Sequence, residues 1–447
     1  MGPIVPPDHP GDAAAAAMGW SMRVMVLGAG GFIGRQIVAE LVSGGHRVVG
    51  VARSTGGLAE AMPGAAFLAL DLASALDPAG WRGRLAGIDV VVNAAGLLRG
   101  RQMEAVHVAM PRALAAAAAE AGVRRIVLIS AISARPDVDT DYAATKLAGE
   151  RVLASSAVGW TILRPSLVYG DGSYGGTSLM RGLAGLPMFV PLPGEGDFAF
   201  SPIHVRDLAR TVRHVCEDDG FAGRTLEPVG PHTLSLKDLL ARYRAWLGFG
   251  QARFVPVPMT VMRWMGRLGD LAGDGPVSTN ALVQMVAGNG GDGAAFARAV
   301  GFEPRRLDEA LRDRPAEVQD RWHARLYFLA PALKAVLVMM WLVSAWLGLA
   351  HGAALTAELV ESLGLPAGLA DPLRIGSSLL DVAVAAVLVL NRSAARVAVL
   401  QAVVVVGYTL VLGFGLPRLL VDPLGPLLKN LPVLLAIAVL GVIGARR

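Results

Sequence analysis

Tyr142 and Lys146 stand four residues apart in "DTDYAATKLAGE", so a helix there places both on one face. A phenol titrates at about 10 when unperturbed, too high for proton exchange near neutrality. An adjacent ammonium favours the phenolate and lowers that value. Ser130 ends the apolar run upstream, where its hydroxyl could bond a substrate carbonyl, and Ser133 is its rival in "LISAIS". These residue types together suit proton transfer at a carbonyl or alcohol oxygen.

A hydride carrier would complete that chemistry, and the stretch "VMVLGAGGFIGRQIV" supplies a place for one. Gly28, Gly31 and Gly34 follow an apolar run and open a helical pattern, with Phe32 and Ile33 between them. Glycines there permit a tight turn and let backbone N–H groups approach a pyrophosphate at the positive end of a helix. The second apolar run ends "GVARS" without an acid for a ribose 2′-hydroxyl. Arg53, beside Ser54 and Thr55, suits a 2′-phosphate instead, so NADP(H) is favoured over NAD(H). Asp71 and Leu72 end the third run, where an acid meets adenine. "NAAG", Asn93, Ala94, Ala95 and Gly96, ends the fourth, close to the expected nicotinamide.

The elements that must position these residues are legible as alternating runs. "RVMVL", "RVVGVA", "AFLAL", "DVVVN", "RIVLIS" and "WTILRP" read as strands separated by helical crossovers. That pattern predicts an α/β fold with a doubly wound parallel sheet. Residues 166–325 are more irregular, with helical pieces at 236–247 and 307–314, and predict a smaller substrate lobe over the carboxyl edge of the sheet. His204 and His107 read as structural, and the methionines and tryptophan of "MTVMRWMGRL" as packing or contact with a bilayer surface. No cluster has metal-ligand spacing, so no metal is expected.

The chain has 447 residues, 53% of them hydrophobic and 17% charged, which is too apolar for an ordinary soluble protein. The excess falls in four segments, 328–350, 375–390, 397–416 and 426–444, predicting a four-helix transmembrane bundle. Arg321 and Arg325, Arg392 and Arg396, and Arg446 and Arg447 flank them. By the positive-inside rule these are cytoplasmic, so the N-terminal domain and the C-terminus face the cytosol of a cell with a multi-pass protein in its inner membrane. Glu358, Glu361 and Asp371 fit the outer side. Asp381 and Lys429 both fall in the outer half; Asp381 is expected to face the bundle interior and approach Lys429, with a wet groove or a neutral Asp381 as alternatives, whereas Lys334 can snorkel. The first 21 residues lack the charged start of a signal peptide and predict a disordered tail, or an upstream start with Met22 the working one. A net charge of +5 without a basic block excludes nucleic acid as a partner, and a single cysteine, Cys216, excludes a disulfide framework and fits a reducing compartment.

From Met22 to Arg325 the chain resembles the extended or atypical branch of the short-chain dehydrogenase/reductase superfamily, carrying "GAGGFIG", "NAAG", "YAATK", "LRPSLVYG" and "FSPIHVRDLA" in that family's order. The resemblance implies a Rossmann fold, Tyr142 as catalytic acid/base, and Lys146 binding the nicotinamide ribose while tuning Tyr142. Extended members place their serine differently, which leaves Ser130 and Ser133 both open. The stretch with "DPLGPLLKNLPVLL" resembles the DoxX-like four-helix family. "VRRIVLISAIS" also resembles the nucleotide-binding accessory subunit of respiratory complex I, whose relatives hold NADPH without turnover. Two functions follow as expectations: an oxidoreductase at the lipid bilayer acting on a small or lipid-soluble substrate, or an NADPH-holding sensor or stabilising subunit with a membrane-protein partner.

Overall fold

The computed structural model describes residues 21–172, 174–251, 253–271, 278–390, 393–423 and 425–444. Residues 1–20 of the expected tail, and Arg392, Arg446 and Arg447, lie outside the described residues. The chain divides into two compact units, one ending at Arg321 and the other beginning at Trp322.

In the first unit the six expected strands form: β1 (Arg23–Leu27), β2 (Arg47–Ala52), β3 (Ala65–Ala69), β4 (Val90–Asn93), β5 (Arg125–Ile129) and β6 (Gly159–Leu163). With an edge strand Arg224–Leu226 they make a seven-stranded sheet, ordered edge strand, β6, β5, β4, β1, β2, β3. Every pairing in it is parallel. Alternate residues of β1 serve opposite layers. Val24 and Val26 pack with Ile37, Leu41, Leu208 and Val212, while Met25 and Leu27 pack with Trp81, Leu85, Met110 and Leu114. A sheet covered on both faces needs strands apolar on both faces, which is why these runs read as continuous rather than alternating. Strand order reverses between β1 and β4, and ligands of such sheets bind in the crevice beyond the strand ends at that point.

The expected lobe contains the helices Gly176–Ala184, Leu236–Trp246 and Leu307–Asp313. It also holds short strand pairs, including Val190–Pro193 with Phe254–Val257.

Among the described residues of the second unit three helices are long and apolar enough to cross a membrane: Val318–His351, Ala367–Leu390, counted with a leading 3-10 turn, and Ala394–Gly415. The fourth expected segment differs. Its helix, Asn430–Ile443, has 14 residues, about 21 Å at 1.5 Å per residue and short of a hydrocarbon core of about 30 Å. A further helix, Ala353–Ser362, was not anticipated. Leu337, Trp341, Val384, Leu388, Val397, Val405, Ile437 and Leu440 form the apolar interior.

Asp381 faces that interior at 3% exposure, but its expected partner is wrong. Ser344 Oγ donates to its Oδ2 at 2.6 Å and Tyr408 OH to its Oδ1 at 2.8 Å, while Lys429 is exposed. The helix begins at Ala370 rather than Ile375, so Asp381 lies near its middle, about 16 Å from the start. Hydroxyls can donate to a carboxylate at that depth without bringing a second charge, and this removes the need for a lysine. One level along, Trp341 Nε1 donates to Gln401 Oε1 at 3.0 Å. Lys334 Nζ donates to Val389 O at 3.4 Å. Two of the three acids expected on the outer side are paired with arginines that the charge reading passed over, Glu358 with Arg418 and Asp371 with Arg374.

Candidate active site

The glycine loop closes the end of β1. Gly28, at φ +78°, and Ala29 both donate backbone N–H to Val51 O at 3.0 Å, and Gly31 N donates to Gly28 O at 2.9 Å. Gly31 is the N-cap of the helix Phe32–Ser43 and has no capping side chain. The first N–H groups of a helix lack intrahelical partners, so this end suits an anion. A Cβ on Gly28 would stand 3.0 Å from Ala95 N, and one on Gly34 would collide with Gly28 O. Glycine is therefore required twice, once where the loop meets "NAAG" and once where the helix meets the loop. A dinucleotide cradle of this kind fits a pyrophosphate. Phe32 and Ile33 are half-buried at the helix start, and Phe32 stacks on Tyr174 with ring centroids 5.9 Å apart.

Arg53 and Ser54 are exposed just beyond β2. Arg35 Nε donates to Gly30 O at 3.1 Å, which sets a second guanidinium at the loop that the sequence reading passed over. Beyond β3, Asp71 is exposed and its Oδ1 accepts from Ala73 N at 3.1 Å, while Leu72 is buried. Buried Asn93 ends β4 and accepts from Ala95 N at 3.1 Å, which holds the turn through Ala94 and Ala95 to Gly96.

Thr140 caps the helix Asp141–Ala154 by accepting from Ala143 N at 3.1 Å, so Tyr142 lies in its first turn and Lys146 one turn on. Lys146 Nζ donates to Ile129 O at 3.0 Å. A Cβ on Gly96 would lie 3.1 Å from Nζ, so the glycine of "NAAG" makes room for the ammonium. Burial pushes Lys146 down to about 8, with the Glu150 carboxylate opposing. Tyr142 departs from expectation, because burial pushes it up to about 12. The ammonium that was to lower it is bonded to the strand instead.

Ser130 is buried, and its hydroxyl donates to Glu150 Oε1 at 2.5 Å. Arg164 binds both oxygens of Glu150, Nη2 to Oε2 at 2.5 Å and Nε to Oε1 at 3.0 Å. With its proton committed to Glu150, Ser130 does not offer a donor to a carbonyl in this arrangement. Ser133 is equally buried.

His107 was read as structural, yet it stands beside the pair. It sits in a π-helical turn, Ala105–Ala109, and its ring meets that of Tyr142 edge-on with centroids 5.8 Å apart. Leu97 N donates to Nε2 at 3.0 Å, and Nδ1 is 2.9 Å from Thr145 Oγ1. A backbone N–H can only donate, so Nε2 accepts and Nδ1 carries the proton. Burial, aided by the Lys146 charge, pushes His107 down to about 3, which keeps it neutral. Thr145 in turn donates to Asp141 O at 2.7 Å. His107 thus ties the loop after "NAAG" to the helix that bears Tyr142. Its only sequence signal was its place within the helical stretch after "NAAG". His204 caps the helix Val205–Glu217 by accepting from Arg206 N at 3.3 Å.

Residues 28–185 match a family described as NAD(P)H-binding, and residues 338–438 match the DoxX-like family. The chain joins an NAD(P)-binding Rossmann domain to a DoxX-like domain. Among curated relatives, the mitochondrial NADH dehydrogenase [ubiquinone] 1 alpha subcomplex subunit 9 of Mus musculus is 28% identical over 279 residues, which covers 58% of this chain and 70% of the relative. A ceramide reductase of Caulobacter vibrioides is 31% identical over 204 residues, covering 43% of this chain and 60% of that protein. A solved nucleoside-diphosphate-sugar epimerase of Staphylococcus aureus superposes with a TM-score of 0.52 at 17% identity, covering 65% of this chain and 100% of that one. At that identity it shows the fold of the NAD(P)-binding domain alone.

Proposed function

We propose that this chain is a membrane-tethered NADP(H)-dependent oxidoreductase acting on a carbonyl or alcohol carbon of a lipophilic substrate, such as a quinone, an isoprenoid or a lipid-linked sugar. The observation that carries the reading is the placement of Tyr142 and Lys146 on one helix, with the Lys146 ammonium against Gly96. When bound, the nicotinamide supplies or accepts the hydride. The chain's own residues manage the proton. A phenol at about 12 stays protonated at neutral pH, so Tyr142 is set to donate to the oxygen of a carbonyl, the reductive direction. Lys146 carries its positive charge one turn along the same helix, and His107 with Thr145 fixes the helix and loop around the reacting oxygen. The name of the ceramide reductase relative supports a lipid as substrate. Arg321, Arg325 and Arg396 support a cytoplasmic NAD(P)-binding domain.

The direct test adds lipophilic ketones and quinones to the detergent-solubilised protein loaded with NADPH and follows oxidation of the reduced nicotinamide. Turnover by any of them supports the reading, and none across the panel refutes it. A second reading, an NADPH-holding subunit that stabilises a membrane complex, is favoured by the commitment of Ser130 to Glu150 and by the complex I relatives.

The reductive rate should fall as pH rises through about 8, because the buried Lys146 gives up its proton there while Tyr142 keeps its own to about 12. A pH profile of kcat/KM checks this. A rate level to about pH 10, the ordinary lysine value, would show that the Lys146 charge is not used.

Arg53→Asp should weaken NADPH far more than NADH, since it replaces a cation suited to the 2′-phosphate with an anion. The loss expected for NADPH is about ten- to a hundredfold, corresponding to roughly 1.5–3 kcal/mol for a charge-assisted hydrogen bond. Equal losses for the two dinucleotides in fluorescence titrations would remove Arg53 from the site.

A further inference from the structure

The helix Met259–Leu271 bears apolar side chains that its own unit does not cover. Val261, Trp264, Met265 and Leu268 follow the spacing i, i+3, i+4, i+7, a single stripe on a helix. All four are exposed, Trp264 at 65% and Leu268 at 59%. This is not a helix awaiting a place to pack. Its opposite side already docks through Gly266, where a Cβ would come 3.1 Å from Thr279 N. Asp270 pins it further, accepting from Thr279 N at 3.1 Å and from Thr279 Oγ1 at 2.6 Å. Arg267, exposed, borders the stripe, and exposed Arg263 lies on the polar side of the same helix, about 150° from the centre of the stripe at 100° per residue.

We propose that this face lies on the headgroup region of the bilayer that the chain's own apolar helices cross, and that anionic lipid is the partner its arginines fit. Three observations select lipid over other occupants. Among its described residues the second unit has three helices long and apolar enough to cross a membrane, so a bilayer is tethered to this domain at high effective concentration. The helix sets tryptophan, methionine, leucine and valine on one side and arginines on its polar side, the composition of helices that lie in the interface plane. Tryptophan is favoured at the headgroup level, and arginine is drawn to the negative surface potential of anionic lipid. The inference concerns a surface apart from the dinucleotide cradle and stands whether or not the chain is catalytic.

The test uses the full chain in vesicles of phosphatidylcholine and phosphatidylglycerol. A nitroxide is attached through Trp264→Cys or Leu268→Cys, with Thr260→Cys as the polar-flank control. The native Cys216 is fully buried, so the unsubstituted protein serves as the unlabelled blank. Labels at 264 and 268 should collide more with oxygen than with a water-soluble nickel chelate, as for a depth of about 5–10 Å, and the label at 260, at the edge of the stripe, should show a clearly smaller preference for oxygen. Arg263→Glu with Arg267→Glu, or vesicles of phosphatidylcholine alone, should raise chelate access at 264. Chelate access at 264 and 268 equal to that at 260 overturns the proposal. So does protection from both reagents, which would mean that a second copy or the chain's own helices cover the stripe. In the unsubstituted protein, amide exchange across 259–271 should slow when phosphatidylglycerol is added, and an unchanged rate overturns the anionic-lipid assignment.

Discussion

Tyr142→Phe should lower the rate of nicotinamide oxidation by about 10²–10⁴-fold, the usual contribution of a positioned general acid, while leaving NADPH affinity essentially unchanged. The phenol loses only its O–H. Its ring still meets His107 edge-on, and the cap at Thr140 and the bond from Lys146 to Ile129 O do not involve the hydroxyl. Single-turnover kinetics with the protein preloaded with NADPH separates the two effects. Full retention of the chain's function in the cell would transfer the weight to the NADPH-holding subunit.

Glu150→Ala should be the most destabilising single change near the site. It strips the carboxylate that accepts from Ser130 and from two nitrogens of Arg164, leaving a guanidinium whose side chain is only 24% exposed. Removing one partner of a buried pair costs about 3–5 kcal/mol, and partial exposure of Arg164 places this case near 3 kcal/mol. Glu150→Gln, which keeps the shape and one acceptor, should cost about 1–2 kcal/mol. Denaturant midpoints of the full chain in detergent would compare them, and equal, small losses would show that the network carries little. The alanine variant should also move the alkaline fall in rate to lower pH, because Glu150 is the group that holds the Lys146 proton in place.

The elements were legible in the sequence where local pattern and global position coincide. The glycine turn, the six strands and the helix of Tyr142 and Lys146 each depend on neighbours a few residues away. The helices 236–247 and 307–314 formed within a residue of where periodicity set them. What was not legible depends on residues far apart in the chain. Ser130 points at Glu150 because the helix Asp141–Ala154 carries that side chain to the end of β5, and nothing in "LISAIS" reveals that. The Lys146 ammonium goes to Ile129 O for the same reason, so Tyr142 escapes the lowering that spacing alone suggested. His107 looked inert because a π-helical turn brings it to the site, and such a turn has no clear spacing signature. In the apolar part, hydropathy located the segments but could not tell that hydroxyls of two other helices would serve Asp381.

Those two levels of side-chain pairing, Trp341 with Gln401 and Asp381 with Ser344 and Tyr408, act together as a vernier. Gln401 and Tyr408 lie two turns apart on one helix, so both levels can close only at one rotation and one height. An apolar surround offers no substitute partner to a group turned outward. Inserting one residue between them would swing the lower level by about 100° and open one of the two. Val399, Val403 and Leu410, exposed on the same helix, need only remain oily. The helix is thus tolerant in composition and fixed in phase, and the spacing between its two polar rungs is what sets that phase.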